Sequence, residues 1–452
     1  MVIKNIHSLQ TYLAAQTIND IFFAVTFPKD ALGLEEIFPI KIISFDQHPI
    51  IDQIQTKTDI FSLLQTTKDD PKRRSTSVLL KHPQTVKYIE SFSNRPANIL
   101  VYKPSPSLSQ ICALHHWHLL ANPPSLNREF ENKINFSNII QKLNLPQPTY
   151  EIKKFHDIKY DYFCQTFGPE FFIQFPRGFA GSSTFLIQSA PALQQLQKKF
   201  LNYPAKISRK INGPTYSLNA VIVNQDSVQQ NVIVQKPFYQ ITNIPSLNPS
   251  AGGTCGNIYS SVNFTPYDLP AITNDAIKFG RLLEQNQYRG LFGLDFVVDE
   301  QTGQHYFIEC NPRLTASIPM ITKLQIQQDE VPLLALHLLE FLSLSYQLDP
   351  SVVEQINQHP DHGSQIIFRN TSSEPISTPI HYPSGIYSTS HPVTDIFQLQ
   401  QLVSQQSDQI QFIRNGQDIL DIQKKNEFLI LCEPSDKIIS PAIEYLRIQS
   451  LV

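Results

Sequence analysis

Residues 291–313 read LFGLDFVVDEQTGQHYFIECNPR, and the rest of the chain is organised around them. Two apolar runs, Leu291–Val298 and Gln304–Glu309, flank the polar segment Asp299-Glu300-Gln301-Thr302-Gly303. β-Branched and aromatic runs closed by a polar segment with Gly predict a β-hairpin. Three polar side chains, Asp295, Glu309 and Asn311, interrupt the apolar pattern. Strand side chains alternate faces, so Glu309 and Asn311 share a face and Cys310 points the other way. A register symmetric about Thr302 places Asp295 opposite Glu309. Like charges facing each other destabilise a strand pair, so this pairing asks for a cation between them. Two carboxylates and an amide oxygen are hard ligands suited to Mg²⁺, which keeps its other positions for water and a substrate phosphate. Arg313 follows two residues later, with a fork of donors suited to a phosphate or carboxylate. The alternative reading is an exposed hairpin with ordinary polar residues.

This stretch resembles the metal-binding end of the ATP-grasp superfamily, the group that includes biotin carboxylase and D-alanine–D-alanine ligase. There an acidic residue on one strand is followed by Glu-x-Asn on the next, and often by Arg. Here these are Asp295, Glu309-Cys310-Asn311 and Arg313. The resemblance implies Mg²⁺ (Mn²⁺ as the alternative) on Asp295, Glu309 and Asn311, with Arg313 as a catalytic residue. Upstream, ENKINFSNIIQKLNLPQPT at 131–149 is similar to the family's opening, in which a Lys precedes a helix and a Pro-x-Pro turn. That likeness assigns Lys133 to the ATP phosphates; taken alone it is a solvated lysine.

Phe171–Phe185, FFIQFPRGFAGSSTF, reads as an apolar strand entering a loop of small residues. Small residues let backbone N–H groups approach a phosphate, and hydroxyls add donors. The loop resembles the family's phosphate-covering loop, which implies nucleotide contacts from Gly178, Gly181, Ser182, Ser183 and Thr184. One departure stands out. The family usually has Lys on the preceding strand, and the matching residue here is Gln174, which donates hydrogen bonds without charge. Either a neighbour such as Arg177 supplies the charge, or nucleotide binding is weakened. Lys206–Asn219, KISRKINGPTYSLN, contains the positions that match the family's adenine hinge, Arg209, Lys210 and Ile211. Ser208 stands where the family commonly has Glu. The hinge contacts adenine through its backbone, which needs no particular side chain.

The 452 residues suffice for two or three domains, and 41% hydrophobic content with 17% charged residues supports a sizeable core. A net charge of −3 argues against a general nucleic-acid or anionic-membrane binder. Five cysteines, scattered without CxxC spacing, suggest a reducing compartment and hence a cytoplasmic location. The opening MVIKNIHSLQTYLAAQ has no long apolar core and no cleavage signature, so no signal peptide is expected. No apolar run reaches the length of a membrane span.

Along the chain, Asp20–Phe27, Pro39–Ser44 and Asn98–Val101 read as strands, with helical candidates such as Pro83–Phe92 between them. Ala113–Leu120 holds His115, His116 and His118, which do not share one helical face and read as an ordinary helix rather than a metal site. Asn127–Leu143 and Pro270–Asn286 read as helices, and Gln240–Asn257 as a long polar loop. Arg289 is placed to face the phosphates or to pair with a surface acid, and LTASIPM after Arg313 reads as a loop. Val331–Gln347 reads as a packed apolar helix, followed by strands at Gln365–Phe368, Gly385–Tyr387, Ile410–Ile413 and Phe428–Cys432.

The expectation is a multidomain protein mixing α/β and α+β parts. The resemblance implies a Rossmann-like domain at 1–125 and an ATP-grasp domain at 126–330, its nucleotide-gripping part at about 150–220. A C-terminal helix with a small β-rich domain would occupy 331–452. The implied activity is an ATP- and Mg²⁺-dependent carboxylate–amine ligase that forms an acylphosphate and releases ADP and phosphate. The alternatives are a biotin carboxylase-like carboxylating enzyme and a degenerate nucleotide-binding or interaction module, for which Gln174 is the best support. Partners are then a small-molecule carboxylate and an amine, with no nucleic acid and no membrane; a homodimer is left open.

Overall fold

The structure, a computed structural model, describes residues 2–33, 37–48, 58–67, 71, 74–92, 96–178, 183–224, 231–250, 252–259, 268–358, 363–378, 385–388, 427–434 and 436–451. Runs of Ile, Phe and Val near the N-terminus form Ile21–Ala24, Ile40–Ser44, Ile60–Ser62 and Asn98–Val101, and all four strands are parallel. With His118–Leu119 they make a five-stranded sheet in the order Ile60–Ser62, Ile40–Ser44, Ile21–Ala24, Asn98–Val101, His118–Leu119. Parallel strands are near-continuously apolar because both faces are covered. Phe22, Ile43 and Ile99 pack with Leu79 and Leu108 on one face, and Phe23, Ile42 and Leu100 join Leu9 and the Leu333–Phe341 helix on the other.

A four-stranded antiparallel sheet follows in the order Tyr150–Lys154, Pro204–Arg209, Phe171–Gln174, Thr184–Ile187. Phe163 and Leu193, from helices Tyr160–Phe167 and Ala190–Phe200, bury one face of it against Phe171, Ile173, Ala205 and Ile207. The third large unit is a ten-stranded antiparallel sheet. Its order runs His305–Asn311, Gly290–Val298, Thr215–Ile222, Phe238–Thr242, Thr254–Ile258, Gly363–Arg369, Glu444–Leu451, Glu427–Cys432, Gly385–Ser388, with Val232–Val234 beside Thr215–Ile222. Gly256 lies where an added Cβ would meet the Gln365 carbonyl oxygen at 2.0 Å, so its φ of +153° and lack of side chain permit the close pairing with Gly363–Arg369.

The architecture is thus mixed α/β, as the sequence predicts, and several local expectations need correction. Asn127–Leu143 is two helices, Pro124–Phe130 and Lys133–Lys142. Asn132 ends the continuity: its side-chain oxygen accepts from the Ile134 and Asn135 N–H groups, an N-cap. The histidine-rich stretch is not one helix, because helix Pro106–Leu114 stops before His116 at φ +56° and His118 enters the parallel sheet. Gln240–Asn257 is not a long loop, since Phe238–Thr242 and Thr254–Ile258 pair across it. The segment after Arg313 turns into helix Ile318–Gln327. Helix Leu333–Phe341 is buried along its whole length, which explains its all-round apolar sequence. Ile410–Ile413 lies outside the described residues. Among the described residues no helix is long and apolar enough to cross a membrane.

Candidate functional site

The hairpin forms from Gly290–Val298 and His305–Asn311, and its register pairs Asp295 with Glu309. A bulge between Asp295 and Phe296 shifts the pairing by one residue nearer the turn, so the symmetry about Thr302 holds only at the end that carries the polar residues. Cys310 points away into the core with Phe292 and Phe307, and burial pushes its thiol well above the ordinary range.

Asp295 accepts hydrogen bonds from the Ser217 hydroxyl, from Gln240 Nε2 at 2.9 Å and from Asn311 Nδ2 at 3.0 Å. Burial, followed by the neighbouring Glu309 charge, nevertheless pushes its carboxyl up to about 7. Glu309 goes the other way. Burial would raise it, but the Lys133 ammonium, 2.5 Å from Oε2, together with hydrogen bonding to Asp295 and the Arg313 charge, holds it below the usual carboxylate range. Asn311 Oδ1 accepts from Arg313 Nη2 at 2.9 Å, and Arg313 Nη1 donates to the Leu314 carbonyl at 3.0 Å. The four residues read from the hairpin therefore touch one another, with Lys133 joined to them.

Lys133 is buried at the start of its helix, and its backbone N–H donates to the Pro176 carbonyl at 2.9 Å. That bond ties the helix to the start of the Gly- and Ser-containing loop. Gln174 Nε2 donates to Thr184 Oγ1 at 3.2 Å across the loop's base, and Phe175 N–H donates to the Ser183 carbonyl at 2.9 Å. Gly178 has φ +153°, and a Cβ there would meet Ser183 Cβ at 2.2 Å, so only glycine fits. Arg177 is exposed. Gly181 and Ser182 lie outside the described residues.

In the hinge stretch, Arg209 is exposed, Lys210 is ion-paired with Glu170, and Ile211 is partly buried. Ser208 is buried across from Tyr150 and Phe172. Arg289 serves elsewhere: its Nη1 donates to the Glu340 carbonyl at 3.2 Å and its guanidinium lies 4.5 Å from the Phe341 ring centre.

Three site residues escape a reading of the sequence. Ser217 and Gln240 reach Asp295 from two other strands of the ten-stranded sheet. Lys206 is fully buried one strand away from Gln174 and feels both Lys133 and Glu309. No local pattern marks any of them, because strand pairing alone brings them in.

No protein-family model and no curated protein matches the sequence. Solved structures do. The biotin carboxylase domain of Hydrogenobacter thermophilus 2-oxoglutarate carboxylase, solved as a dimer with MgADP, ADP and bicarbonate, superposes with TM-score 0.60 at 12% identity, over 97% of this chain and 87% of that one. The chain has the ATP-grasp fold. Carboxyaminoimidazole ribonucleotide synthase from Aspergillus clavatus, complexed with ATP, has TM-score 0.56 at 11% identity, over 96% of this chain and 94% of that one. Campylobacter jejuni biotin carboxylase has TM-score 0.59 at 12% identity, over 97% and 88%. At these identities the likeness is one of backbone fold.

Proposed function

We propose that this chain is an ATP- and Mg²⁺-dependent carboxylate–amine ligase that releases ADP and phosphate. The observation that carries this reading is the pairing of Asp295 with Glu309 beside Asn311, next to two buried lysines. The donor set fits Mg²⁺: two carboxylates and an amide are hard oxygen ligands, and burial together with the facing Glu309 charge raises the Asp295 carboxyl, a direction that a cation beside the pair would oppose. Among the described residues no group of three His, Cys, Asp or Glu offers a competing metal site. Asp295, Glu309 and Asn311 would hold the ion, which when bound neutralises charge on the transferring phosphoryl group.

The chain's own residues do the rest. Lys133 would bind phosphate oxygens, its ammonium held at the site by the ion pair with Glu309. Gly178, Ser183 and Thr184, with Gly181 and Ser182 of the same loop, cover the phosphates. The backbone at Arg209, Lys210 and Ile211 takes the adenine. A substrate carboxylate attacks the γ-phosphorus, the bond to the bridging oxygen breaks, and ADP leaves. Arg313 stabilises charge on the resulting acylphosphate, and an amine then displaces phosphate. The division at about 125 and 330 into Rossmann-like, ATP-grasp and C-terminal parts belongs to the same reading, as does a cytoplasmic location.

A second reading makes bicarbonate the carboxylate. It is supported by the fold neighbours, one solved with bicarbonate and others described as carboxylases or carboxyaminoimidazole ribonucleotide synthases. The test is ADP release from ATP and Mg²⁺ by the purified protein, with bicarbonate or a panel of carboxylates, each with and without amines or biotin. ADP release that requires both a carboxylate and an amine supports the ligase. Release that requires bicarbonate together with biotin supports carboxylation, and no release with any pair, biotin included, sinks both.

A further inference from the structure

Lys206 lies in strand Pro204–Arg209 with 1% of its surface exposed. Among the described residues its ammonium meets no carboxylate and no hydrogen-bond acceptor; the Tyr150 ring centre is 5.7 Å away. An unpartnered buried ammonium is costly, because nothing replaces the water it has lost. Burial first and the Lys133 charge second lower its pKa to about 7, and Glu309 offsets this only in part. Glu309, the carboxylate that acts on it, is already bonded to Lys133.

The strand register shows where Lys206 points. It pairs with Gln174 on one side and Ile152 on the other, and directly opposed residues project to the same face. The other face carries Ala205, Ile207, Phe171 and Ile173 into the core. Lys206, Ser208, Gln174 and Thr184 therefore share the face that Lys133 and the hairpin approach. Two buried lysines converge there with one carboxylate between them, an arrangement that lacks an anion.

We propose that Lys206 is a phosphate-binding cation which, with Lys133, grips the polyphosphate of a nucleoside triphosphate. This rests on the nucleotide reading above and adds to it the residue that supplies the charge. Gln174, directly across, contributes an amide N–H, while the positive charge comes from the neighbouring strand. The absence of a lysine at 174 is then a displacement by one strand and not a loss of grip.

The test is Lys206→Met, which keeps the stem and removes the charge. Binding is measured by calorimetry with two probes, ATP and inorganic tripolyphosphate, each with Mg²⁺. The wild type should bind both, and K206M should bind both about tenfold to a hundredfold more weakly, the scale of a charge-assisted contact. The unliganded variant should melt no lower than the wild type, since an unpaired buried charge has gone. The double swap Gln174→Lys with Lys206→Gln should restore affinity, because it moves the ammonium across one strand pair on the same face. Wild-type binding of tripolyphosphate but not ATP, lost in K206M, supports the cation assignment while the nucleotide reading falls. K206M binding as tightly as the wild type, a swap no tighter than K206M, or a wild type that binds neither probe overturns the proposal.

Discussion

Asp295 and Glu309 face each other across the hairpin, yet only Glu309 has a cation beside it, the Lys133 ammonium at 2.5 Å. The asymmetry splits the two acids: Glu309 stays ionised, and Asp295 is held by three neutral donors from Ser217, Gln240 and Asn311. A divalent ion would let both be charged together.

Glu309→Gln keeps the shape and removes one ligand charge. ADP release should fall by at least about a hundredfold, the upper end of what even indirect metal-site partners cost. The stabilisation that Mg²⁺ adds to ATP in a thermal melt should vanish with it. An unaltered rate would sink the metal assignment.

Gly213 carries the chain past the hairpin at φ +153°, where an added Cβ would lie 1.9 Å from the Val298 carbonyl oxygen. Glu300 N–H to the Asn212 carbonyl and Val298 N–H to the Pro214 carbonyl, at 3.0 and 3.1 Å, pin this crossing on both sides. Gly213→Ala should cost about 2 kcal/mol or more in denaturant unfolding. It should also weaken ATP binding, because the hinge residues 209–211 must shift with it. Wild-type stability and affinity together would show the crossing to be slack.

His337 is buried with Nδ1 accepting from Leu291 N–H at 3.0 Å and Nε2 donating to the Leu120 carbonyl at 3.2 Å. Burial lowers its pKa from 6.5 to about 4, opposed in part by the hydrogen bond to the Leu120 carbonyl and helped to a smaller extent by the Arg289 charge. The unfolded chain therefore binds a proton that the folded chain refuses. This contribution is fully present above about pH 6.5 and is lost as pH falls toward 4, a difference worth about 3 kcal/mol. His337→Gln can keep one donor and one acceptor without titrating. Urea unfolding from pH 8 to pH 4.5 should show a shallower loss of stability in the variant; parallel curves would contradict the assignment.

Lys29 Nζ lies 3.1 Å from both Glu433 Oε1 and Glu444 Oε1, and Arg447 joins Glu444 to Asp30. These ion pairs lock the N-terminal parallel sheet's connections to the strands at 427–451. Lys29→Met leaves buried carboxylates short of a partner and should destabilise by about 3 kcal/mol. Unfolding midpoints of the two proteins check this; equal midpoints would mean that Lys437 and Arg447 satisfy both glutamates alone.

The local parts of this protein follow from residue order and short-range chemistry. Alternation and turn chemistry at 291–311 specify the hairpin, and a two-residue period puts Glu309 and Asn311 on one face with Cys310 opposite. Apolar runs specify the parallel strands, and Asn98–Val101 forms within the limits read from it. Where sequence reading failed locally, short-range competition decided the outcome: the Asn132 cap split one helix, and His116 ended another. Which distant strands lie side by side is fixed only when the whole chain packs. Ser217 and Gln240 reach Asp295, and Lys206 faces Gln174, through backbone pairings between residues far apart in the chain. Periodicity tells which face of a strand a residue occupies, but not what stands across from it. Lys206, which no local pattern marks, becomes a buried charge facing Gln174 only once strand Pro204–Arg209 pairs with Phe171–Gln174.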